Sequence, residues 1–542
     1  MTAATAWDRP PGNAATAART RTRSGLRSAR TPTVTLGARA DSHHSWTPSE
    51  YRTADRSSRQ TRTYPVWREP FARMALAMSL LARMDRLPFS RAHYTLLVIG
   101  GLGYTFDGAD NALVAFLLPS MAREWGLNNG ALGLLASASP VGYLVGALLA
   151  GTLGDRVGRR PIMMWALAVY TGFTMVAALA PSYEVFAAAR ILAGVGIGAE
   201  SVIVAPYLAE FVPPSRRGWF VGCLAGFFSF GYVAAALLGR FVVPSTDTAW
   251  RWAQVVTAVP IVLLLWWRRS LLESPRFLLV HGRREEAERV VVAFEDKVRR
   301  ATGRELPPVV ADGADEEVMV RKAGLLTSLR YLWGQRMRRR TAVVWLVWFV
   351  NVFAFYGFFT WIPTLLIQEG ITVTKSFDFS LVIYLAQIPG YYAGAWLSDR
   401  LDRKRTIAAS LLGAAAAAFW LSQSSAPPAI MMSGAVLSFF LNGSIAAMYA
   451  YTPELFPTWT RTTATGLASA FGRLGSISAP AIIGFASTSL GFGGVFGMTC
   501  AVLGAGVVGV LLFGVSTAGH SLEQLNERAP GRHDDRPSRL AT

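Results

Sequence analysis

Twelve apolar runs of about 20 residues constrain this chain more than any other feature. A helix rises 1.5 Å per residue, so about 20 residues cross a hydrocarbon core of roughly 30 Å. The runs cover residues 95–118, 131–152, 161–180, 184–208, 218–240, 249–267, 341–367, 377–397, 406–422, 427–451, 462–488 and 492–515. A composition that is 52% hydrophobic and only 16% charged, with a mean hydropathy of +0.32, also argues against a soluble protein. The sequence predicts an all-α membrane protein with twelve transmembrane helices.

Positive charge is concentrated outside these runs. Residues 1–94 carry 16 basic and 6 acidic residues, and residues 268–340 carry 17 and 11, so these blocks supply 16 of the net charge of +19. Alternate short loops hold Arg156, Arg159, Arg160, Arg216, Arg217, Arg400, Arg403, Lys404 and Arg405. Basic loops face the cytoplasm, which predicts cytoplasmic termini and an inner-membrane location. The partner of this charge is the bilayer; a nucleic-acid partner is not expected, because no folded domain presents a basic face.

The chain repeats itself at an offset of 244 residues. The matched positions are Pro119 and Pro363, Asp155-Arg156 and Asp399-Arg400, Arg159 and Arg403, Glu210 and Glu454, and Arg217 and Arg461. A constant offset over about 100 residues requires equal helix and loop lengths in both copies. This predicts two pseudo-symmetric six-helix halves, residues 94–267 and 341–515, with a binding site near the membrane midplane between them.

Three segments lie outside the two halves. Residues 1–93 are rich in Arg, Ser, Thr and Ala and are expected to form a disordered tail, although an organellar transit peptide or a start at Met74, Met78 or Met84 stays open. The central loop, residues 268–340, contains one amphipathic stretch near Glu285 to Val298. A C-terminal tail covers residues 516–542.

Several kinds of chemistry are not expected. Cys223 and Cys500 both lie within apolar runs, which is the ordinary place for a small apolar side chain and gives no disulfide or cysteine metal site. None of the six histidines lies inside an apolar run, so a proton within the membrane would have to be carried by a carboxylate. The sequence has no phosphate-binding Gly-x-x-x-x-Gly-Lys-Ser/Thr motif and no grouping of nucleophile and base. We expect no cofactor, no metal and no enzymatic activity.

The loop after the second run reads Gly151-Thr-Leu-Gly-Asp155-Arg156-Val-Gly158-Arg159-Arg160, and its copy follows the eighth run. This duplicated loop resembles that of the major facilitator superfamily, and the stretches at Glu210, Glu273 and Pro453 resemble its sugar-porter-like branch. The resemblance implies a conformational gate made of Gly151, Asp155, Arg156, Arg159, Glu210, Arg217, Asp399, Arg400, Arg403, Glu454 and Arg461. Asp402 replaces the equivalent of Gly158, so a looser second loop is expected.

Charged residues within the apolar runs are functional candidates, because each costs about 2.5–3.5 kcal/mol to insert. Asp107 and Asp110 share one helical face of the first run, Arg190 and Glu200 lie in the fourth, and Arg473 lies in the eleventh. The resemblance to proton-coupled sugar-porter-like members implies that Asp107 faces Arg190 and carries the proton, with Asp110 in reserve. The 244-residue offset pairs Asp107 with Asn351, which favours a central cavity with one ionisable site.

Arg473 has no acidic neighbour on its own run and requires an anion, either an intramembrane carboxylate or a substrate. The seventh run is rich in aromatic residues, which suits a flat organic acid. The predicted substrate-binding residues are Arg473, Asn351, Tyr356, Trp361, Gln387, Tyr391 and Asn442. The stretches around Asp107, Glu200 and Arg473 are similar to those of the metabolite and aromatic-acid proton symporters, including nicotinate-type carriers.

These features together predict a monomeric secondary transporter that moves a small aromatic or heteroaromatic carboxylate with protons by alternating access. A sugar or polyol proton symporter of the same fold, or a proton-coupled exporter of drugs or metabolites, remains the alternative. A membrane sensor or a channel is less favoured, because the central loop is too short for a folded domain.

Overall fold

The structure is a computed structural model that describes residues 80–258, 266, 271–308 and 325–517. Within these residues the chain is helical, and the predicted runs form its long helices. The helices are α1 (Arg91–Trp125), α2 (Asn129–Val157), α3 (Arg159–Ala178), α4 (Tyr183–Ala209), α5 (Pro214–Phe241), α6 (Ala249–Thr257), α7 (Pro275–Val280), α8 (Arg284–Thr302), α9 (Leu325–Leu332), α10 (Arg338–Gln368), α11 (Val373–Leu385), α12 (Gln387–Arg400), α13 (Arg403–Ser422), α14 (Pro427–Glu454) and α15 (Thr458–Phe513).

Each of the twelve predicted spans is helical over at least part of its described residues. Eight helices of the described residues are long and apolar enough to cross a membrane, and the longest covers two spans with a break at Gly491, whose φ of 62° suits glycine. The first span is one continuous helix, although its acidic and glycine residues lower its hydropathy. The eighth span is divided between α11 and α12, and most of the second part of the sixth lies outside the described residues.

Equivalent contacts recur in both halves at the 244-residue offset. A Cβ added to Gly231 of α5 would lie 2.1 Å from the carbonyl oxygen of Thr105, and one added to Gly475 of α15 would lie 2.7 Å from that of Phe349. Gly475 is Gly231 plus 244, and Phe349 is Thr105 plus 244. Glycine thus brings α5 against α1 and α15 against α10 in the same way. The predicted internal repeat is confirmed as two similarly packed halves.

We call the end of the molecule that carries the α2–α3 and α12–α13 loops the basic end. The two halves contact each other at the opposite end. At the opposite end Arg240 of α5 forms an ion pair with Asp378 of α11. Asn129 donates to Ser487 at 2.9 Å and accepts from Gln368 at 2.9 Å. Each of these contacts joins one half to the other, so the opposite end is closed.

An aromatic layer lies between this closed end and the middle of the molecule. Phe116 of α1 contacts Phe377 of α11 with ring centroids 5.0 Å apart, and Tyr232 of α5 contacts Phe359 of α10 at 5.6 Å. Tyr384 touches rings of both halves. Edge-to-face contacts of this kind add to the burial of the rings and seal the interface.

The sequence predicts a disordered tail over residues 1–93, but the last part of this range, residues 80–93, is folded. Residues 80–85 are helical, and Leu80, Met84 and Leu87 are buried in the core of the first half. The tail over residues 1–79 lies outside the described residues. The amphipathic stretch of the central loop forms α8, and its buried Glu295 accepts hydrogen bonds from Arg83 at 2.5 and 3.1 Å and from Arg86 at 2.8 Å. This cluster attaches α8 to the segment before α1.

Replacing Glu295 with glutamine should loosen this attachment. Burial by itself would raise the pKa of Glu295, but hydrogen bonds from Arg83 and Arg86 outweigh it and hold the pKa below the ordinary value of 4.5. Charged hydrogen bonds contribute about 1.5–3 kcal/mol, so Glu295→Gln should speed amide hydrogen exchange in residues 80–87 at neutral pH by roughly ten- to a hundredfold. In the wild type the stabilisation is complete above pH 4.5 and is lost as the pH falls below it.

Glu288→Gln is the matched control, because Glu288 lies 3.9 Å from Arg83 but its side chain is 60% exposed. It should leave exchange nearly unchanged. Equal exchange in wild type and Glu295→Gln would contradict the proposed attachment.

Candidate functional site

A cavity of about 120 Å³ lies between the halves at mid-height. Asp107, on its wall, is near the middle of the 35-residue helix α1. The cavity is lined by Tyr104, Asp107, Tyr143, Ser201, Ala225, Phe228, Ser229, Trp348, Val352, Phe355, Tyr356, Tyr391, Asn442, Ile445, Met448, Tyr449, Ser469 and Arg473. Both halves contribute, so movement of one half against the other changes its shape.

The repeat relates many of these lining positions. At the 244-residue offset, Tyr104 matches Trp348, Ser201 matches Ile445, Ala225 matches Ser469, and Ser229 matches Arg473, and all eight line the cavity. The cavity is thus built from the same helical positions twice. In the second copy one of these positions carries a guanidinium group where the first has a hydroxyl.

Arg473 of α15 is the cation of the cavity. Its guanidinium donates to the Tyr143 hydroxyl at 2.7 Å and to the Tyr356 hydroxyl at 3.4 Å, and it stacks over the Tyr143 ring at 3.7 Å. Tyr143 belongs to the first half, so this stack also joins the halves. No carboxylate among the described residues lies within ion-pair distance of Arg473. Hydroxyl groups satisfy its donors without neutralising its charge, so an anion entering the cavity can do so.

Asp107 is the carboxyl group of the cavity. It is 3% exposed, and its Oδ1 has no hydrogen-bond partner within the described residues. Glu200 of α4 is 1% exposed, lies within electrostatic range of Asp107, and has no partner for either carboxyl oxygen in the same part of the chain. Two buried carboxylates without a cation would be costly, so these groups are suited to binding protons.

The expected contact between Asp107 and Arg190 is wrong for this structure. Arg190 instead donates to both carboxylate oxygens of Asp110 at 2.7 Å, and Gln254 donates to one of them at 3.2 Å. The reason is helix register. Tyr104 of α1 donates to the Ser201 carbonyl of α4, whereas Asp110, later in α1, meets Arg190, earlier in α4. The two helices are thus antiparallel, and Arg190 lies level with Asp110, one turn beyond Asp107.

Four of the seven predicted substrate-binding residues line the cavity: Tyr356, Tyr391, Asn442 and Arg473. The other three do not. Asn351 and Gln387 are fully buried outside the lining, and the Trp361 indole donates to the Pro480 carbonyl at 3.0 Å. A polar residue within an apolar run can face a neighbouring helix as readily as a cavity. Its position in the sequence does not show which of these it faces.

Several lining residues were missed, including Tyr104, Tyr143, Ser229, Trp348 and Ser469. The repeat held a usable signal, since the position 244 residues before Arg473 is Ser229. The same operation on the predicted Gln387 gives Tyr143 and would have found a second missed residue. Applied to Tyr356, Tyr391 and Asn442, it gives residues outside the lining.

The predicted gate residues form matching ion pairs at the basic end. Arg159 pairs with Glu210, and Arg403 pairs with Glu454 at 3.1 Å and with Asp399 at 3.3 Å. Each pair lies within one half. The side chain of Asp155 lies outside the described residues, and Gly151 is exposed near the end of α2.

The remaining gate arginines have other partners. Arg217 donates to the Ala209 and Val212 carbonyls and to Asp85, and Arg461 donates to the Phe456 carbonyl at 3.5 Å. Arg400 stacks on the Trp396 ring at 4.8 Å, and Arg156 is exposed.

Each gate loop has one carboxylate bound to backbone amides, but the carboxylate comes from a different position of the repeat in each half. In the first half Glu273 accepts from the backbone amides of Arg159 and Arg160, and Gly158, with φ at 116°, leaves room for it. In the second half Asp402, the equivalent of Gly158, accepts from the Thr517 amide at 3.3 Å, and Thr517 is the equivalent of Glu273. Asp402 is buried, so these contacts do not support the expected looser loop.

Comparison with known proteins agrees with this architecture. A family model described as Sugar (and other) transporter matches residues 94–529. The chain belongs to that family. It is a multi-pass membrane transporter of the major facilitator superfamily, rather than an enzyme.

Similar proteins include carriers of aromatic acids. The niacin transporter NiaP of Acinetobacter baylyi is 34% identical over 83% of this chain and all of its own length. A gallate transporter of Pseudomonas putida is 28% identical over 76% of this chain and 89% of its own length. The inward-open, partially occluded xylose transporter XylE of E. coli has the same fold, with a TM-score of 0.64 and 18% identity over 80% of this chain and all of its own.

Proposed function

We propose that this transporter carries a small aromatic or heteroaromatic carboxylate together with protons across the plasma membrane. The observation that carries the proposal is Arg473, a cation in a cavity between the halves with tyrosine hydroxyls as its hydrogen-bond partners. The relatives named for niacin and gallate transport support the same substrate class.

The cavity dimensions and lining fit a molecule with one ring. Its volume of about 120 Å³ is well below the roughly 300–1,000 Å³ of pockets for drug-sized ligands. Phe228, Trp348 and Phe355 supply ring faces, and Tyr391 and Tyr449 supply hydroxyl groups. The substrate carboxylate would pair with the Arg473 guanidinium while its ring packs among these side chains.

A sugar or polyol would use this cavity poorly. Sugars require many directional hydrogen bonds; tyrosine and serine hydroxyls are present in the lining, but Asn442 is the one carboxamide among the described lining residues. The Asn442 Nδ2 donates to the Ser438 carbonyl at 2.9 Å. A neutral sugar would also leave Arg473 without a counter-charge, which is costly in a desolvated site.

Asp107 is the proposed proton carrier, because it meets the cavity and has no cationic partner within the described residues. Glu200 is buried within electrostatic range of Asp107 but is absent from the lining, and it would share the same proton. Asp110 and Arg190 neutralise each other and hold α1 against α4. The predicted proton-coupling residues thus divide into two pairs. Asp107 and Glu200 would bind and release the proton, and Asp110 and Arg190 form a fixed ion pair.

The basic end would face the cytoplasm, as the arginine-rich loops indicate. The conformation described is then closed toward the outside by the Arg240–Asp378 ion pair and the aromatic layer. The intra-half pairs of Arg159 and Arg403 would brace each bundle while the halves rock. One chain supplies the whole cavity wall, so a monomer would be sufficient for transport.

Uptake by purified protein in proteoliposomes tests the proposal. Nicotinate, benzoate and 4-hydroxybenzoate should accumulate when the outside is made acidic, and xylose and a cationic amine should not. Accumulation driven by the pH gradient distinguishes symport from facilitated diffusion. Uptake of xylose but not of the carboxylates would contradict the proposal and favour the sugar alternative.

A further inference from the structure

A second cavity lies outside the transport site, between the first turns of α1 and helix α8. It has a volume of about 550 Å³, and Arg91, Thr95, Leu96, Phe211, Lys297 and Arg300 are among the residues that line it. We call it the α1–α8 groove. It does not share a lining residue with the central cavity, so transport chemistry does not account for it.

The charge of the groove is entirely positive. Arg91, Lys297 and Arg300 are exposed at its rim, and no described lining residue is acidic. Arg91 and Arg300 have no carboxylate within ion-pair distance in the described part of the chain. Two nearby exposed arginines differ in this respect, since Arg299 of α8 pairs with Asp296 and Arg283, at the N-cap of α8, pairs with Glu286. Three cations around one concave surface favour an anionic ligand.

The wall beneath this rim is apolar. Leu96, Ile99, Phe211 and Phe294 line it and are buried. An inorganic anion or a soluble phosphate ester would leave this surface unused. A ligand with an anionic head and an apolar body matches both parts of the groove.

The groove also lies at the membrane surface. Tyr94, three residues after Arg91 on α1, and Trp219 of α5 are 51% and 45% exposed with ring centroids 6.2 Å apart, and exposed tyrosine and tryptophan mark the headgroup level of a bilayer. Val98, one turn further along α1, is 44% exposed. The cations are thus at headgroup height and the apolar wall continues toward the hydrocarbon core.

We propose that the α1–α8 groove binds an anionic glycerophospholipid, with its phosphate near Arg91 and Arg300 and its glycerol end against Leu96 and Ile99. The acyl chains leave along the exposed face of α1 at Val98. Because α8 is part of the central loop and α1 carries Asp107, the lipid connects the loop to a helix of the transport site. Each arginine contributes about fivefold to lipid affinity.

Native mass spectrometry of the full chain tests the site, with the protein titrated separately with dioleoylphosphatidylglycerol and dioleoylphosphatidylcholine. The wild type should retain the anionic lipid preferentially. Arg91→Gln/Arg300→Gln should weaken that binding about 25-fold and change binding of the zwitterionic lipid, whose choline offsets the phosphate charge, much less. The control, Arg283→Gln/Arg299→Gln, removes the same charge from outside the groove and should bind like the wild type.

A third variant, Arg91→Lys/Arg300→Lys, keeps the charge and should restore most of the binding. This result would show that the glutamine variant does not lose binding through a folding defect. Equal retention of both lipids by the wild type would overturn the proposal, as would unchanged phosphatidylglycerol binding by the glutamine variant. Glycerol 1-phosphate is the remaining probe. Displacement of the lipid by this soluble ester at equal concentration would identify a free phosphate site and would overturn the lipid assignment.

Discussion

Replacing Asp107 with asparagine should abolish pH-driven accumulation of substrate while substrate exchange continues. Asparagine keeps the size and polarity of the side chain but cannot bind and release a proton. For one coupled proton, a gradient of one pH unit is worth about 1.4 kcal/mol, so the wild type should concentrate substrate about tenfold and the variant not at all. The measurement is uptake into proteoliposomes with and without an imposed gradient, beside counterflow at equal pH.

Asp110→Asn provides the matched contrast, because Asp110 lies one turn away on the same helix. It would leave Arg190, which is 1% exposed, without its counter-ion. Loss of one partner of a buried pair costs about 3–5 kcal/mol, so this variant should lose thermal stability. Full uphill accumulation by Asp107→Asn would rule out Asp107 as the proton carrier.

Arg473→Ala should remove transport of aromatic carboxylates almost completely. A buried carboxylate that loses its charged hydrogen-bonding partner loses about 2–5 kcal/mol of binding, which corresponds to about 30-fold to several thousandfold in affinity. The variant also opens space beside Tyr143. Because both changes weaken contacts with the substrate, substrate affinity should fall as well as the transport rate. Substrate affinity measured by the quenching of tryptophan fluorescence, with Trp348 in the cavity wall, separates the two.

Arg473→Lys serves as the partner variant. It keeps the charge but cannot form a two-point contact with a carboxylate, so an intermediate affinity is expected. Nicotinamide, the uncharged amide of nicotinate, should bind the wild type weakly and lose little in Arg473→Ala. Nicotinate affinity that survives the alanine substitution would refute the assignment of Arg473 to the substrate.

The fold followed from the sequence because each of its determinants is local or periodic. Apolar length fixed the helices, and the 244-residue offset fixed the equivalence of the halves, down to the Arg159–Glu210 and Arg403–Glu454 pairs. Gly491, between two predicted spans, marked the break that divides α15. The folded segment before α1 escaped notice because Leu80, Met84 and Leu87 give too short an apolar pattern.

The site was predicted less completely, because side-chain partners depend on how helices are set against each other. The sequence identified Asp107, Asp110, Arg190 and Arg473 as unusual but contained no measure of the register between α1 and α4. That register decided which carboxylate Arg190 binds. Tyr143 illustrates the same limit, since its contact with Arg473 joins residues 330 positions apart.

Asp107 and Arg473 lie on different bundles, and this placement would affect how readily the carrier moves a proton or a substrate without the other. An empty carrier with Asp107 ionised has balanced charges in its cavity, and so does a carrier holding one anion and one proton. A carrier with only the proton, or only the anion, has an unbalanced unit charge, which is costly in an apolar, desolvated cavity. In the proposed mechanism, slippage, the uncoupled movement of proton or substrate, would be disfavoured electrostatically without a separate device that senses occupancy.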